Sequence, residues 1–425
     1  MDIRLHPIQI SDVKALLAAS TLNPVHQARM LAAACSFKRT FKITPLDAPG
    51  AFIFGAQATP QCPDWQNDHV AAINCSGAGF TQSEALIACM GEAVELLSQF
   101  EQGDERSFGA ADGINLIDHG ETLDMSGIHI KDQRFMAARC LVDGSVSGLA
   151  LGLCIRPYGN RLYGKPAFPL GLGGGAGPDL DQAILHGLLE LIERDAAALW
   201  WRGGVPGRVL ALAGPELAQA MALLAKARKG ADAGRHIVVE RQLLILEISR
   251  EFGVPVVAAL SSDAEGRGLA CGLAARADIG QACRAAIKEM LQMELAQKLA
   301  LAKKNEAGHA ALNAVDLRHL AQNGGPGIHD LALPLFGKAA MHHAPLASGG
   351  DTGQVLRSLV ANLAASGISV HAVDLTRARY GISAARVFSA ELQPEPSHIT
   401  TPRLASAWKL HGEKHRRYAE LHPLL

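Results

Sequence analysis

Long apolar runs, paired cysteines and an excess of either charge are all missing from this 425-residue sequence. Its 40 basic residues are matched by 41 acidic ones, so neither a nucleic-acid backbone nor an anionic membrane is indicated as the main partner. Any anion binding has to be local. No stretch approaches the roughly 18 uninterrupted apolar residues of a membrane span, and no basic stretch followed by a long apolar run opens the chain. Cys35, Cys62, Cys75, Cys89, Cys140, Cys154, Cys271 and Cys283 are scattered, with no C-x-x-C pair and no close His/Cys set to close a zinc tetrahedron. A cytoplasmic chain with reduced thiols is the expectation. Serine hydrolase and zinc protease chemistry find no support either, since G-x-S-x-G and H-E-x-x-H are absent.

What is present suits one large core or two modest ones, because 48% of the residues are hydrophobic. Short helical patterns such as 13–19 mark the first 45 residues, to which no chemistry attaches. From about Ala51, Gly-rich turns alternate with amphipathic helices and with β-branched runs at 237–240 and 254–260, which predicts a mixed α/β fold of α+β type. Gly-rich punctuation at 323–327 and 348–353 predicts long loops on either side of a segment carrying His342 and His343.

The chain also echoes itself. Gly77-Ala78-Gly79 with Ala85, Glu92 and Glu95 recurs as Gly175-Ala176-Gly177 with Ala183, Glu190 and Glu193, and Ala282, Glu289 and Gln292 keep the same A-x6-E-x2-[E/Q] spacing. The period is too long for a solenoid. A softer echo links 247–254 with 374–382, both read as strand, turn, strand, which suggests an old duplication of an α-plus-β unit.

Residues three apart share a helix face, so Glu92 with Glu95, and Glu190 with Glu193, each present two repelling carboxylates to one side. Such pairs become useful when a cation sits between them, and hard divalent metals take oxygen ligands. Magnesium shares its coordination with substrate phosphates, so a nucleotide follows. Either pair alone reads equally well as a solvated helix face; two pairs at matched spacing behind matched G-A-G runs favour the metal. The run L-G-G-G-A-G at 172–177 is a weak phosphate-loop candidate, lacking the Lys and hydroxyl of G-x-x-x-x-G-K-[ST], and its glycines also serve a close turn. His186, His342 and His343 read as structural histidines.

At this point the residues resemble the YcaO family, ATP-dependent enzymes that install azolines or thioamides in ribosomally made peptides. S-G-A-G-F-T and A-C-M-G-E-A-V-E-L, residues 76–81 and 88–96, are similar to the family's S-G-K-G-x-T and S-x-x-x-E-x-x-E-R. A-I-L-H-G-L-L-E-L-I-E-R-D-A, residues 183–196, matches closely, and R-A-A-I-K-E-M-L-Q, residues 284–292, resembles R-A-x-x-E-x-x-Q. The resemblance implies a YcaO-like fold of repeated helix-plus-sheet units around a central ATP cleft. It also implies ATP and Mg2+ as cofactors, Glu92, Glu95, Glu190 and Glu193 as metal ligands, and Ser76, Arg194, Arg284, Glu289 and Gln292 as nucleotide contacts. Ala78 stands where a Lys is usual, Ala88 replaces a Ser, Leu96 an Arg, and Gly171 a Ser.

The implied organisation is a segment of unclear role over 1–70, an ATP-binding domain over 71–405 and a tail over 406–425. Azoline-forming members often end in a Pro-rich tail whose carboxylate enters the site; here the chain ends His422-Pro423-Leu424-Leu425, which neither supports nor excludes azoline formation, and the Leu425 carboxylate is one candidate base. In the mechanism the resemblance implies, a nucleophile adds to an amide carbonyl, the oxyanion attacks the γ-phosphate of ATP, and phosphate leaves. Azoline formation from Cys, Ser or Thr is the first expectation, thioamide formation the second, and a non-catalytic scaffold, motivated by Ala78, Ala88 and Leu96, the third. A ribosomally made precursor peptide is the expected substrate. No segment resembles the ubiquitin-activating-like half fused to some members, so a separate leader-peptide-binding partner is expected, and a homodimer by family habit.

Overall fold

The computed structural model describes residues 5–45, 47–60, 72–105, 107–109, 114–118, 123–124, 134–156, 165–166, 169–215, 217–229, 241–325, 328, 351–411 and 424. The expected strand at 237–240, His342, His343 and Leu425 lie outside them. In chain order come β1 (Leu5–Ile8), α1 (Ile10–Ala18), α2 (Pro24–Ala34), β2 (Arg39–Ile43), β3 (Phe52–Ala58), β4 (Ile73–Gly79) and α3 (Gln82–Ser98). Next are β5 (Ser107–Gly109), β6 (Leu123–Asp124), β7 (Arg134–Cys140), β8 (Val146–Ala150), α4 (Leu151–Cys154), β9 (Lys165–Pro166), β10 (Gly174–Gly177) and α5 (Leu180–Trp201). Then follow β11 (Arg208–Val209), α6 (Ala218–Lys229), β12 (Gln242–Ser249), β13 (Val256–Ser262), β14 (Ala270–Ala275), α7 (Ile279–Ala307), α8 (Ala314–Gly324), α9 (Thr352–Ala365), β15 (His371–Asp374), β16 (Ser383–Phe388) and α10 (Pro402–His411).

The strands form three antiparallel sheets and a short ladder of β6 with β9. Their orders are β1-β2-β3-β4, β10-β16-β15-β7-β5 with β8 on β7, and β11-β12-β13-β14. Helices lie against sheets whose neighbours run antiparallel, which is the expected mixed α/β class in its α+β form. β1 to β3, all within the first 70 residues, are hydrogen-bonded in one sheet with β4.

Three strand–helix units organise the rest. β4 leads into α3, β10 into α5 and β14 into α7, and each helix is started by a side chain that accepts an early backbone N–H: Thr81 from Glu84, Asp179 from Gln182, Asp278 from Gln281. Such caps satisfy donors that the first helical turn leaves open. Each strand also runs so close to its helix that only glycine fits. A Cβ at Gly77 would lie 2.1 Å from the Cys89 nitrogen, one at Gly175 2.1 Å from the Ala183 carbonyl oxygen, and one at Gly272 2.1 Å from the Ala286 carbonyl oxygen. The run at 172–177 is therefore not a phosphate-cradling loop: Gly173 turns with φ +78° and Gly174–Gly177 are strand β10.

Apolar residues of the central and third sheets close over α5, whose Leu188, Ile192, Ala197 and Trp200 are buried on successive faces, as for a helix enclosed on all sides. α7 covers the other face of β13 and β14 through Ala286, Ile287 and Met290. α1, α2 and α3 pack on the first sheet through Val13, Leu17, Met30, Leu86 and Met90.

Two expected loops are in part helical. Asn323 and Gly324 end α8, and Thr352 and Gly353 open α9 because Asp351 caps it, accepting from Gln354 N. The echo at 247–254 and 374–382 is strand, turn, strand in both copies, with Gly253 and Gly381 at φ +79° and +62°.

Replacing Gly272 by Val is expected to cost about 1–3 kcal/mol or more, since backbone and not a movable side chain occupies the space. Gly91, in α3 with nothing within 4 Å of its would-be Cβ, gives the opposite sign: Gly91→Ala is expected to stabilise by about 0.5–1 kcal/mol. Urea denaturation of both variants checks the contrast.

Candidate active site

The first acid of each unit is tied to its own strand. Ser76 N donates to Glu92 (3.3 Å), Gly173 N, just ahead of β10, to Glu190 (3.0 Å), and Leu273 N to Glu289 (3.1 Å). The second position of each pair reaches the next unit instead. Glu95 of α3 lies over β10, where a Cβ on Gly174 would come 2.2 Å from its carboxylate oxygen. Glu193 of α5 accepts from Ala275 N of β14 (3.2 Å), and Gln292 of α7 donates to the Ser76 hydroxyl of β4. The three units thus close into a ring, each helix fastened to two strands.

Inside that ring the carboxylates repel one another and are poorly solvated. Glu92, Glu190 and Glu289 are each pushed up to about 7, first by burial, with charge from Glu190 acting on Glu92 and from Glu193 on both Glu190 and Glu289. Glu95 is held well above the usual carboxylate range by burial and by Glu190 and Glu92. Glu92 remains open to solvent although protein surrounds it on its other sides, which is how a side chain on the wall of a cleft behaves.

Arg194 is the cation among them. Its guanidinium lies 3.4 Å from Glu193 and 3.9 Å from Glu190. Burial would lower it, but Glu193, Glu289 and Glu190 together hold it charged, well above its ordinary value. Its Nε is buried without a hydrogen-bond partner.

The sequence candidates divide accordingly. Glu92, Glu95, Glu190, Glu193, Arg194 and Glu289 share one electrostatic cluster, joined to Ser76 and Gln292 through the ring contacts. Glu289 stands among the carboxylates, in the same relation to its strand as Glu92 and Glu190. Arg284 is set apart. It lies five residues before Glu289, where the R-A-x-x-E spacing has four, and is thus turned about 100° round the helix. Its Nη2 bonds Glu84 (2.9 Å), and its guanidinium lies 5.8 Å from the Phe80 ring. His186 donates from Nδ1 to the Ala176 carbonyl and accepts at Nε2 from the Gln182 amide, as a structural histidine does.

Sequence reasoning missed Arg386 and Arg156, which act on Glu95 from β16 and from the residues after α4. Arg386 is fully buried and pushed down to about 10 by that burial; it donates to the carbonyls of Leu153 (3.1 Å), Leu170 (2.7 Å) and Pro169 (3.4 Å). No local pattern announces either arginine. Glu84 and Lys288, bonded at 2.7 Å, were also missed as a site pair, although Arg284, Lys288 and Gln292 recur every four residues along one helix face.

Among the described residues, no three His, Cys, Asp or Glu side chains form a ready-made metal cage, and no helix is long and apolar enough to cross a membrane. The donor set fits magnesium in another way. That ion takes one or two carboxylates and completes its shell with phosphate oxygens and water, and carboxylates raised by mutual repulsion gain from any cation placed between them.

Comparison with solved structures places the fold. A heterocyclase in complex with substrate and cofactor superposes with TM-score 0.66 at 19% identity, over 96% of this chain and 56% of that one. YcaO from Methanopyrus kandleri bound with AMPPCP and Mg2+ superposes with TM-score 0.58 at 17% identity, over 91% of both chains. A chain of the E. coli microcin synthetase McbBCD complex gives TM-score 0.55 at 13% identity, over 83% of this chain and 88% of that one. This chain therefore spans little more than half of the first heterocyclase. No curated protein sequence matches it. Residues 168–393 match the family described as YcaO cyclodehydratase, ATP- and Mg2+-binding, and with the carboxylate ring in place the chain belongs to the YcaO family.

Proposed function

We propose that this chain uses ATP and Mg2+ to activate backbone amides of a ribosomally made precursor peptide, converting Cys, Ser or Thr to azolines. The observation that carries the reading is the cluster of five carboxylates on three helices, with Glu190, Glu193 and Glu289 around Arg194. Bound Mg-ATP would supply the phosphoryl group that turns an amide oxygen into a leaving group. Glu92, Glu95, Glu190 and Glu193 are assigned to the metal, and Glu289 joins them by position. Arg194 stands where it can meet charge developing on a transferred phosphoryl group, and its fixed carboxylate neighbours pre-orient it. Ser76 and Gln292, already bonded to each other, are assigned to the nucleotide. Arg284 reaches a phosphate only by leaving Glu84.

The solved complexes of related fold include microcin synthetase McbBCD with pro-MccB17 bound, which supports a peptide substrate and separate partner proteins. Thioamide formation, within the same amide-activating chemistry, is the second reading. A scaffold is the third, favoured by Ala78, Ala88 and Leu96. Incubation with precursor peptide and ATP separates them by mass: loss of water indicates azoline, exchange of oxygen for sulfur indicates thioamide, and an unmodified peptide with no nucleotide binding indicates the scaffold.

Glu193→Gln keeps an oxygen for Ala275 N but removes the charge. Peptide-dependent phosphate release is expected to fall about 100-fold or more with an unchanged unfolding midpoint; undiminished turnover would remove Glu193 from the metal site. A pH series gives an independent check. Glu92, Glu190 and Glu289 have folded values near 7, above those of an unfolded chain, so the folded state binds more protons between about pH 4.5 and 7. Their contribution to stability is present below the unfolded value and lost as pH rises through 7. Ligand-free protein is expected to melt lower at pH 8 than at pH 5.5, and saturating Mg-AMPPCP to narrow the difference. A flat profile in the ligand-free protein would contradict the clustering of the carboxylates.

A further inference from the structure

Position 78 is Ala where the resembled S-G-K-G motif has Lys, and the register of β4 against α7 sets a lysine of α7 across from it. Ser76, Ala78 and Phe80 lie along one face of β4 and its continuation, the face away from α3, against which Gly77 packs. That face meets α7 at two points. Gln292 bonds the Ser76 hydroxyl, and Arg284 lies over the Phe80 ring. Strand and helix therefore run in opposite directions across the contact, and Ala78, midway between Ser76 and Phe80, is in register with the stretch of α7 between Arg284 and Gln292, while Leu295 of the following turn shares its apolar cluster. Lys288 is its midpoint. Four strand residues span about 13–14 Å and eight helical residues about 12 Å, so the two elements stay in step.

The charge around Lys288 is not balanced locally. Its ammonium bonds Glu84 at 2.7 Å, but Arg284 bonds the same carboxylate at 2.9 Å, and Arg276 adds a third positive charge within electrostatic reach of Lys288. Arg276 itself donates to a carbonyl, that of Ala275, and no ion pair of its own is found among the described residues. Two cations thus share Glu84 and a third acts on Lys288, which is one helical turn from Gln292 and adjacent in sequence to Glu289. This excess positive charge adjoins the carboxylates of the ring, and a ligand carrying both metal ions and phosphates matches that division: metal to the acids, phosphate to the bases.

We infer that Lys288 is a nucleotide phosphate-binding residue of this chain, delivering from α7 the ammonium that position 78 of β4 no longer supplies. The inference rests on the nucleotide site proposed above and says which residue replaces the lost contact. In the ligand-free chain Glu84 holds the Lys288 ammonium in place; on binding, a phosphate oxygen takes over one of its three donors.

Calorimetric titration with Mg-AMPPCP tests this without turnover. Lys288→Gln is expected to weaken binding about 10- to 100-fold, the range for losing a hydrogen bond to a charged group, while Lys288→Arg stays within a few fold of the parent. Adding Ala78→Lys to Lys288→Gln is expected to restore most of the affinity, because the new side chain enters the space just vacated. Glu84→Gln is expected to bind as tightly as the parent or tighter. Equal binding by the parent and Lys288→Gln overturns the inference, as does an equal loss in Glu84→Gln, which would make Lys288 a strut for Glu84. If the parent itself binds no Mg-AMPPCP, the proposed function falls, a result distinct from either of these.

Discussion

Acids of like charge can be gathered in one place only if something holds them there, and in this chain backbone amides do it. Each of Glu92, Glu190 and Glu289 takes an N–H from the strand ahead of its own helix, and Glu193 takes one from the following unit. An N–H bond to a carboxylate offsets part of the cost of burying it and fixes one of its two oxygens. The other oxygen keeps its capacity to bind. That arrangement demands strands within hydrogen-bond reach of helix side chains, and the bare glycines at 77, 175 and 272 are what let the backbones come so close.

The same constraint explains why α5 is the most enclosed helix. It carries Glu190, Glu193 and Arg194 on one side while apolar residues of the central and third sheets seal its other sides. Asp195, the next residue, is anchored by Arg403 and by Gln393 N, and Arg403 is in turn held by Glu251. The charged turn of α5 is thereby braced from behind by the segment after β16. A helix positioned on so many sides loses little further freedom when a ligand arrives.

Much of the site was legible because its logic is local. Acids three apart on an apolar helix, repeated at matched distance from G-A-G, express one face and one unit, and both survive in the structure. The third copy was readable through Glu289 and Gln292 although its G-A-G is missing, since Gly272 alone meets the packing requirement. What could not be read was whatever depends on long-range pairing. Arg386 of β16 and Arg156 after α4 act on Glu95 from far along the chain and have no spacing to betray them. The direction in which Arg284 points follows from one residue of offset on a helix, and its partner Glu84 lies two hundred positions away. The loops expected at 323–327 and 348–353 were misread in part because glycine ends helices as readily as it opens loops; Asp351 and its cap decide the second case.

One member of the ring is not an acid. Where Glu95 and Glu193 link the first unit to the second and the second to the third, neutral Gln292 links the third back to the first. The ring consequently has an electrical direction, with acids at two seams and, at the remaining one, a neutral amide flanked by Arg284 and Lys288. A symmetric threefold cup would accept a charged guest in any of three rotations; this polarised one admits a single heading.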